Sequence, residues 1–513
     1  MVRKKYGSGR LAAGRREMEG HPRALPWIFI IILLLFCGGC MKMGKDYTRP
    51  DTAYTIPENW MSQSAAADYH RETEASWRWW RIFNNPDLNR FVRRVINNNH
   101  DIKKATTSIL EAEAELGITH ADRLPTVNLS FEAKRAQKTQ TATLPGISRT
   151  TDNYAVSLPA AFEIDLWGRL ARTEEAARAK LLAATNARAT VINTVIAESV
   201  TLYFRDDATE RRHAVARQHL ANRRKHARLI TNRYREGLVS ADALNQAEMA
   251  VNQAEIAVLN LERERNNIRQ QLCVLAGQYP GKSNITWDPA DDATAPPSPV
   301  TMLKPVRAGI PADLLKNRPD IRSAEASLKA LNASIGAAKA ARFPTISLTG
   351  AYGYTNNELS DLLTPESELW NIASGITRPV FDAGRLKALH EASKARYENG
   401  LQEYAQTVLK AFAEVENGLF NRKSHLKSRE RQINTLRAAQ RAYENAQRRY
   451  EGGIATLNDV LTREQTLLDV RENLVLTELS IITNRVTLER ALGGIFTPAA
   501  TAADATKSPK QEE

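Results

Sequence analysis

Ala121-Asp122-Arg123-Leu124-Pro125-Thr126-Val127-Asn128-Leu129-Ser130 returns later in the chain as Ala340-Ala341-Arg342-Phe343-Pro344-Thr345-Ile346-Ser347-Leu348-Thr349. In both copies Arg-x-Pro-Thr closes a helical pattern, since proline lacks a backbone donor and biases its predecessor to extended conformation. A strand follows. Val127, Leu129, Phe131 and Ala133 alternate with Asn128, Ser130, Glu132 and Lys134, a period of two that puts apolar side chains on one face and polar ones on the other. That is the pattern of a membrane barrel strand, greasy outside and wet inside.

Beyond a polar loop from Gln140 to Asp152, a second alternating strand runs through Tyr154, Val156, Leu158, Ala160, Phe162 and Ile164 to Asp165-Leu166-Trp167-Gly168-Arg169-Leu170. The second copy repeats this with Ile346, Leu348 and Tyr352, a loop near 356–368, and Trp370, Ile372 and Ile376. Gly168-Arg169-Leu170 returns as Gly384-Arg385-Leu386, and Arg233-Tyr234 with Gly237 returns as Arg449-Tyr450 with Gly453. Matched landmarks in one order mean two copies of one unit. The expected strands are about 126–138, 153–166, 345–355 and 370–381. Strand patterning alone also fits a soluble hairpin packed on the helices.

Ahead of each first strand, 86–122 and 312–341 read as helical. After each second strand the pattern becomes helical for a long way, over about 168–237 and 241–278, then 384–452 and 457–494. Only Gly400 and Gly418 interrupt the first long stretch of each copy. At 1.5 Å per residue such helices reach about 100 Å. They cannot bury themselves in one globular core, and apolar residues at three- and four-residue steps suit side-by-side packing in coiled-coil fashion. Gly237 and Gly453 accept the left-handed cap conformation that ends a helix. The returns Val239-Ser240-Ala241-Asp242 and Ala455-Thr456-Leu457-Asn458-Asp459 supply capping residues for the next one. Repeat 1 is thus 86–278 and repeat 2 is 312–494, with a Pro-, Asp- and Ala-rich connector at 279–311 and a flexible tail at 495–513.

The bulk composition agrees. Of 513 residues, 25% are charged and only 7% aromatic, a profile of long helices. The net charge of +13 does not point to nucleic acid, because no basic run interleaves with stacking aromatics. Residues 1–39 hold seven Lys/Arg against two Glu, and an apolar run from Trp27 to Phe36 is too short for a span but suits a signal peptide. The stretch ahead of it is long, which leaves Met18 as an alternative start to Met1. Cys37-Gly38-Gly39-Cys40 follows and resembles a bacterial lipoprotein box with lipid attachment at Cys40, although Cys37 stands where Leu is usual. Residues 40–85 then form a lipidated N-terminal segment. With Cys40 acylated and Cys37 removed, Cys273 has no disulfide partner.

No apolar stretch long enough for a helical span occurs after the signal, so a membrane crossing must use strands. A barrel has to close, and four strands fall short of the smallest, which have about eight. The chain should therefore pool strands with other copies.

Catalytic chemistry is absent from the motifs. No HExxH, no i,i+4 histidine pair and no phosphate-binding Gly loop occurs, and His213, His219 and His226 on one long helix read as solvated. Carboxylates on the helices sit at ordinary ion-pair spacing. The chain is read as no enzyme, with no cofactor and no metal.

Cys40-Met41-Lys42-Met43-Gly44-Lys45-Asp46-Tyr47-Thr48-Arg49-Pro50, Trp79-Trp80-Arg81-Ile82-Phe83-Asn84-Asn85-Pro86-Asp87-Leu88 and Arg318-Pro319-Asp320-Ile321-Arg322-Ser323-Ala324-Glu325 together resemble the TolC-like outer-membrane factors, specifically the NodT-type efflux lipoproteins, from Cys40 to about Gly494. The resemblance implies a mainly α fold with transmembrane β, assembled as a homotrimer with a twelve-stranded barrel continued by an α-helical tunnel. It implies a periplasmic adaptor and an inner-membrane transporter as partners, an outer-membrane location, and drugs, metals or other toxic solutes as cargo. It also implies a periplasmic aperture near Tyr450, Gly453 and Asp459, with Gly237 and Asp242 at the other tip turn. A second acidic position expected three residues on is Thr462 here. Helix capping competes for Asp459, and a secretion duct or a poreless coiled-coil scaffold are the rival readings of the whole.

Overall fold

The computed structural model describes residues 42–50, 57, 60, 61, 78–139, 149–280, 300, 303, 306 and 311–493. The expected signal peptide at 1–39, Cys40, most of the connector and the tail lie outside the described residues. The chain divides into a sheet unit (residues 1–44, 125–171 and 339–380) and a helical unit (45–124, 172–338 and 381–513).

The sheet unit is antiparallel throughout. Strands β1 (Thr126–Val127) and β2 (Ser130–Gln137) lie along one edge of β3 (Thr150–Ile164), which pairs with β4 (Thr345–Asn356), which pairs with β5 (Glu368–Thr377). The single strand expected at 126–138 is thus broken at Asn128-Leu129, although the register runs on unchanged from Val127↔Ala160 to Ser130↔Ser157. Pro159 causes the break. Its carbonyl accepts from Asn128 N at 3.0 Å, but it has no N–H to return, so one rung is missing on that side only. The return strand starts at Thr150 rather than 153, and the last strand runs 368–377 rather than 370–381.

The register lines up one face. Phe131 lies opposite Val156, and Val156 opposite Tyr354; Leu158, Tyr352 and Trp370 form the next row, and Ile164, Ile346 and Ile376 another. Much of this face is bare in the single copy: Trp370 is 70% exposed, and Ile372 and Ile376 are 74% exposed, while Val156, Ile164, Ile346 and Tyr354 are half-buried. The opposite face carries Glu132, Lys134, Asn153, Ser157, Ser347, Thr349 and Asn371. At Gly353 a Cβ would lie 2.2 Å from the Val156 carbonyl oxygen, so only glycine lets β4 approach β3 there.

The helical unit contains α1 (Pro86–Asn98), α2 (His100–Ala121), α4 (Ala241–Leu275), α6 (Arg385–Glu451) and α7 (Leu457–Ala491), with most of α3 (Arg169–Arg235) and α5 (Pro319–Ala340). The two copies match in length: α3 and α6 have 67 residues each, and α4 and α7 have 35 each. At 1.5 Å per residue these are about 100 and about 50 Å. No described helix is both long and apolar enough to cross a membrane.

The helix expected over 86–122 is two helices. Asn99 separates them, with its Oδ1 accepting from the Asp101 and Ile102 amides and its Nδ2 donating to the Leu275 carbonyl at 3.1 Å. That side chain caps α2 and ties it to the end of α4. The largest core sits here, with Trp80, Phe83, Leu88 and Phe91 against Ile196 and Val200 of α3 and Leu272 of α4. Gly400 and Gly418 do not interrupt α6. A Cβ at either would come within 2.5 Å of a leucine methyl, of Leu331 on α5 or Leu488 on α7, so both mark tight helix packing.

Candidate functional site: the hairpin tips and the contacts between hairpins

Each long helix ends in the same turn. At the first tip Gly237 N donates to the Tyr234 carbonyl at 3.0 Å and Leu238 N to the Arg233 carbonyl at 2.8 Å. At the second, Gly453 N donates to Tyr450 at 3.0 Å and Ile454 N to Arg449 at 2.8 Å. Gly237 and Gly453 both have φ +74°, the left-handed value this motif demands.

The tips differ in how the next helix starts. Ser240 caps α4 by accepting from Ala243 N, and Asp242 stands in its first turn without joining that cap. At α7 the capping box is complete. Thr456 Oγ1 accepts from Asp459 N, and Asp459 Oδ2 accepts from Thr456 N at 2.9 Å and Thr456 Oγ1 at 2.7 Å. These bonds from Thr456 hold the Asp459 carboxyl below its ordinary value, with Arg449 and Arg463 helping. Asp459 is therefore a charged, exposed capping group at the tip. Tyr450 lies in the last turn of α6, half-buried, and Thr462 spends its hydroxyl on the Asn458 carbonyl.

Between the hairpins runs a set of contacts that periodicity did not reveal. Glu478 of α7, buried, takes Arg211 of α3 at 3.3 Å and Arg429 of α6 at 2.9 Å. Arg212 of α3 bridges Glu472 of α7 at 2.6 Å and Glu264 of α4 at 3.3 Å. Nearer the tip Glu464 of α7 accepts, among the described residues, only from Asn222 Nδ2, at 2.6 Å. His213 is not solvated as expected. It is buried and sits 3.3 Å from Glu262, while His219 and His226 are half-buried.

The residues that follow Cys40 are pinned in both units. In the sheet unit Met43 N donates to the Trp167 carbonyl at 3.0 Å. In the helical unit Asp46 pairs with the buried Arg172 at 2.9 Å, Arg49 pairs with Glu325, and Lys329 lies over the Tyr47 ring. Arg318, buried, ties the start of α5 to Asp320, to Glu414 of α6 at 2.9 Å and to the Ala491 carbonyl at the end of α7. No cluster of potential metal ligands occurs among the described residues.

A sheet with one apolar and one polar face and a set of paired helical hairpins, both built from two copies of one unit, define an outer-membrane channel protein. The outer membrane efflux protein family matches residues 91–278 and 310–494, and the chain belongs to that family. It is 29% identical to the pyoverdine export outer membrane protein OpmQ of Pseudomonas aeruginosa, over 90% of this chain and 96% of that one. It is 30% identical to the toluene efflux pump outer membrane protein TtgC of Pseudomonas putida, over 91% and 94%. A crystal structure of a membrane protein from Pseudomonas aeruginosa superposes with a TM-score of 0.79 at 28% identity, over 89% of this chain and 98% of that one. The protein is an outer-membrane efflux channel with the channel-tunnel fold.

Proposed function

We propose that three copies pool their strands into a twelve-stranded barrel and their helices into a periplasmic tunnel, and that the duct passively conducts solutes delivered by a periplasmic adaptor and an inner-membrane transporter. One observation carries this reading. The four-strand sheet exposes its apolar face and, among the described residues, pairs β1/β2 and β5 on one side only. Unpaired strand edges are not tolerated in lipid, so neighbouring copies must supply the missing partners. Exposed Leu110 and Ile118 on α2, and Met249, Ile256 and Leu259 on α4, are further apolar surface for such contacts.

In this reading residues 1–39 direct export, Cys40 carries the lipid, 40–85 follow the anchor, 279–311 join the repeats and 495–513 follow the second repeat. Tyr450 and Asp459 line the periplasmic aperture, and the turns at Gly237, Asp242 and Gly453 form the tips. The duct does no chemistry of its own, and its energy comes from the transporter. OpmQ and TtgC are named for unlike cargoes at nearly equal similarity to this chain, which supports cargo choice by the inner-membrane partner. Mass measurement of the detergent-solubilised assembly and planar-bilayer recording test the proposal: three copies and a conductance are expected. A monomer, or a trimer that passes no current, overturns it.

A further inference from the structure

Glu464 stands apart from the other carboxylates between the hairpins. Glu472 and Glu478 each meet an arginine of α3. Glu464 is 3% exposed, meets the neutral amide of Asn222, and leaves its Oε2 buried without a hydrogen-bond partner among the described residues. A buried carboxylate oxygen without a donor is costly. One turn to either side of Asn222, α3 carries His219 and His226. The site lies seven residues into α7, about 10 Å along the helix from its start.

Both imidazoles are held neutral. Burial is the larger cause for each, lowering its pKa, and Arg223 adds to the effect, while Glu464 acts in the opposite sense on both. His219 Nε2 accepts from Arg223 Nε at 2.8 Å, a bond that requires the unprotonated nitrogen. The surrounding groups from every packed helix are Arg223 and Lys225 on α3, Glu464, Gln465, Asp469 and Arg471 on α7, and Tyr443 on α6. Along α4 the groove presents uncharged Gln253 and Asn260, while Glu264 is held by Arg212.

We propose that His219, His226 and Glu464 form a proton-binding joint between α3 and α7 that loosens in acid. Protonation of His219 breaks its bond from Arg223 and puts two cations in contact; protonation of His226 places a charge in a half-buried site. Proton uptake then favours a state in which α3 has moved from α7 and the imidazoles meet water. A histidine whose packed-state pKa lies below its free value stabilises the packed state above the free value, and that stabilisation fades as pH falls through the window below about 6.5. For one linked proton the loosened population grows about tenfold per pH unit in that window. The consequence for opening the aperture rests on the channel reading above; the joint itself does not.

The test is a spin-label distance between exposed Arg228 on α3 and Arg463 on α7, each replaced by labelled cysteine in a Cys273→Ser background. The full-length assembly is diluted with unlabelled chains so that distances within one copy are read. The distribution is expected to be narrow near pH ~7.5 and to lengthen and broaden toward pH ~5. With His219→Gln and His226→Gln together it should keep its neutral form throughout. Glu464→Gln removes the carboxylate that favours the imidazolium in the packed state, widens the gap between packed and free pKa, and should leave the loosening at pH ~5 at least as large as in the parent. A parent distribution indifferent to pH, or a double glutamine variant that responds as the parent does, overturns the joint. Lack of conductance in an assembled trimer would remove the channel reading and leave this distance measurement standing.

Discussion

The indole Nε1 of Trp167, at the end of the first repeat's strand pair, donates to the carbonyl of Pro344, at the start of the second's, at 2.8 Å. The Trp167 ring also lies on Phe343, with centroids 4.9 Å apart. The two copies of the Arg-x-Pro-Thr element are therefore not equivalent, because the position matching Trp167 in repeat 2 is Ala383. Trp167→Phe keeps an aromatic ring and strands the carbonyl, and should cost about 1–2 kcal/mol. Trp167→Ala also opens a void and should cost about 3–5 kcal/mol. Denaturant midpoints of the assembled protein check the order; equal loss in the two variants would assign the effect to packing alone.

Asp459→Ala should unpick the capping box and widen the aperture, admitting larger antibiotics and raising single-channel conductance. Asp459→Asn keeps an acceptor for the cap and removes the charge, so it separates capping from ionic gating. Because the Asp459 carboxyl is held below its ordinary value, its capping contribution is full above that value and is lost only as pH falls through the lowered one. The protection of amides in the first turn of α7, relative to their free-chain exchange rates, should thus be unchanged between pH ~7 and ~5 and reduced in Asp459→Ala.

Ile372 and Ala373 are sequence neighbours on opposite faces of β5, opposite Gly350 and Thr349 of β4. Ile372→Lys should place a charge against lipid at a cost of about 2–4 kcal/mol per copy near the bilayer centre and reduce the trimer recovered from outer membranes. Ala373→Lys should assemble and change ion selectivity instead. Equal recovery of the two would mean that the apolar face does not meet lipid.

Arg318 is 7% exposed and serves Asp320, Glu414 and the Ala491 carbonyl at once. Burial opposes its charge, and the bonds it donates to Asp320 and Glu414 more than restore it. Arg318→Met removes the donor shared by two half-buried carboxylates and the Ala491 carbonyl, with Arg490 still 3.5 Å from Glu414, and should destabilise the assembly by about 1–3 kcal/mol. Arg318→Lys restores a charge but not the planar fork, so partial rescue is expected in thermal unfolding.

What the sequence made legible was whatever the backbone dictates locally. The Arg-x-Pro-Thr junctions, the period of two, the tip glycines and the doubled order of landmarks can each be read within a short window, and the family and fold follow from their order. The break at Asn128-Leu129 was hidden because its cause, Pro159, lies on the partner strand and acts only through the register. The split at Asn99 was signalled by Asn97-Asn98-Asn99 ahead of His100, yet the helical period on either side masked it. The hairpin contacts were illegible in principle. Glu464, Glu472 and Glu478 look alike along α7, and only the facing residues Asn222, Arg212 and Arg211 distinguish the carboxylate that lacks a cation.

Gly400 and Gly418 set a limit on engineering this protein. Replacing glycine within a helix by alanine ordinarily favours the helix by about 0.5–1 kcal/mol, and α6 offers two such positions to anyone seeking a hardier pore. At Gly400 the added methyl meets only the end of the half-buried Leu331 side chain, but at Gly418 it meets both Cγ and a methyl of fully buried Leu488, so there the routine improvement would wedge two neighbouring rods apart.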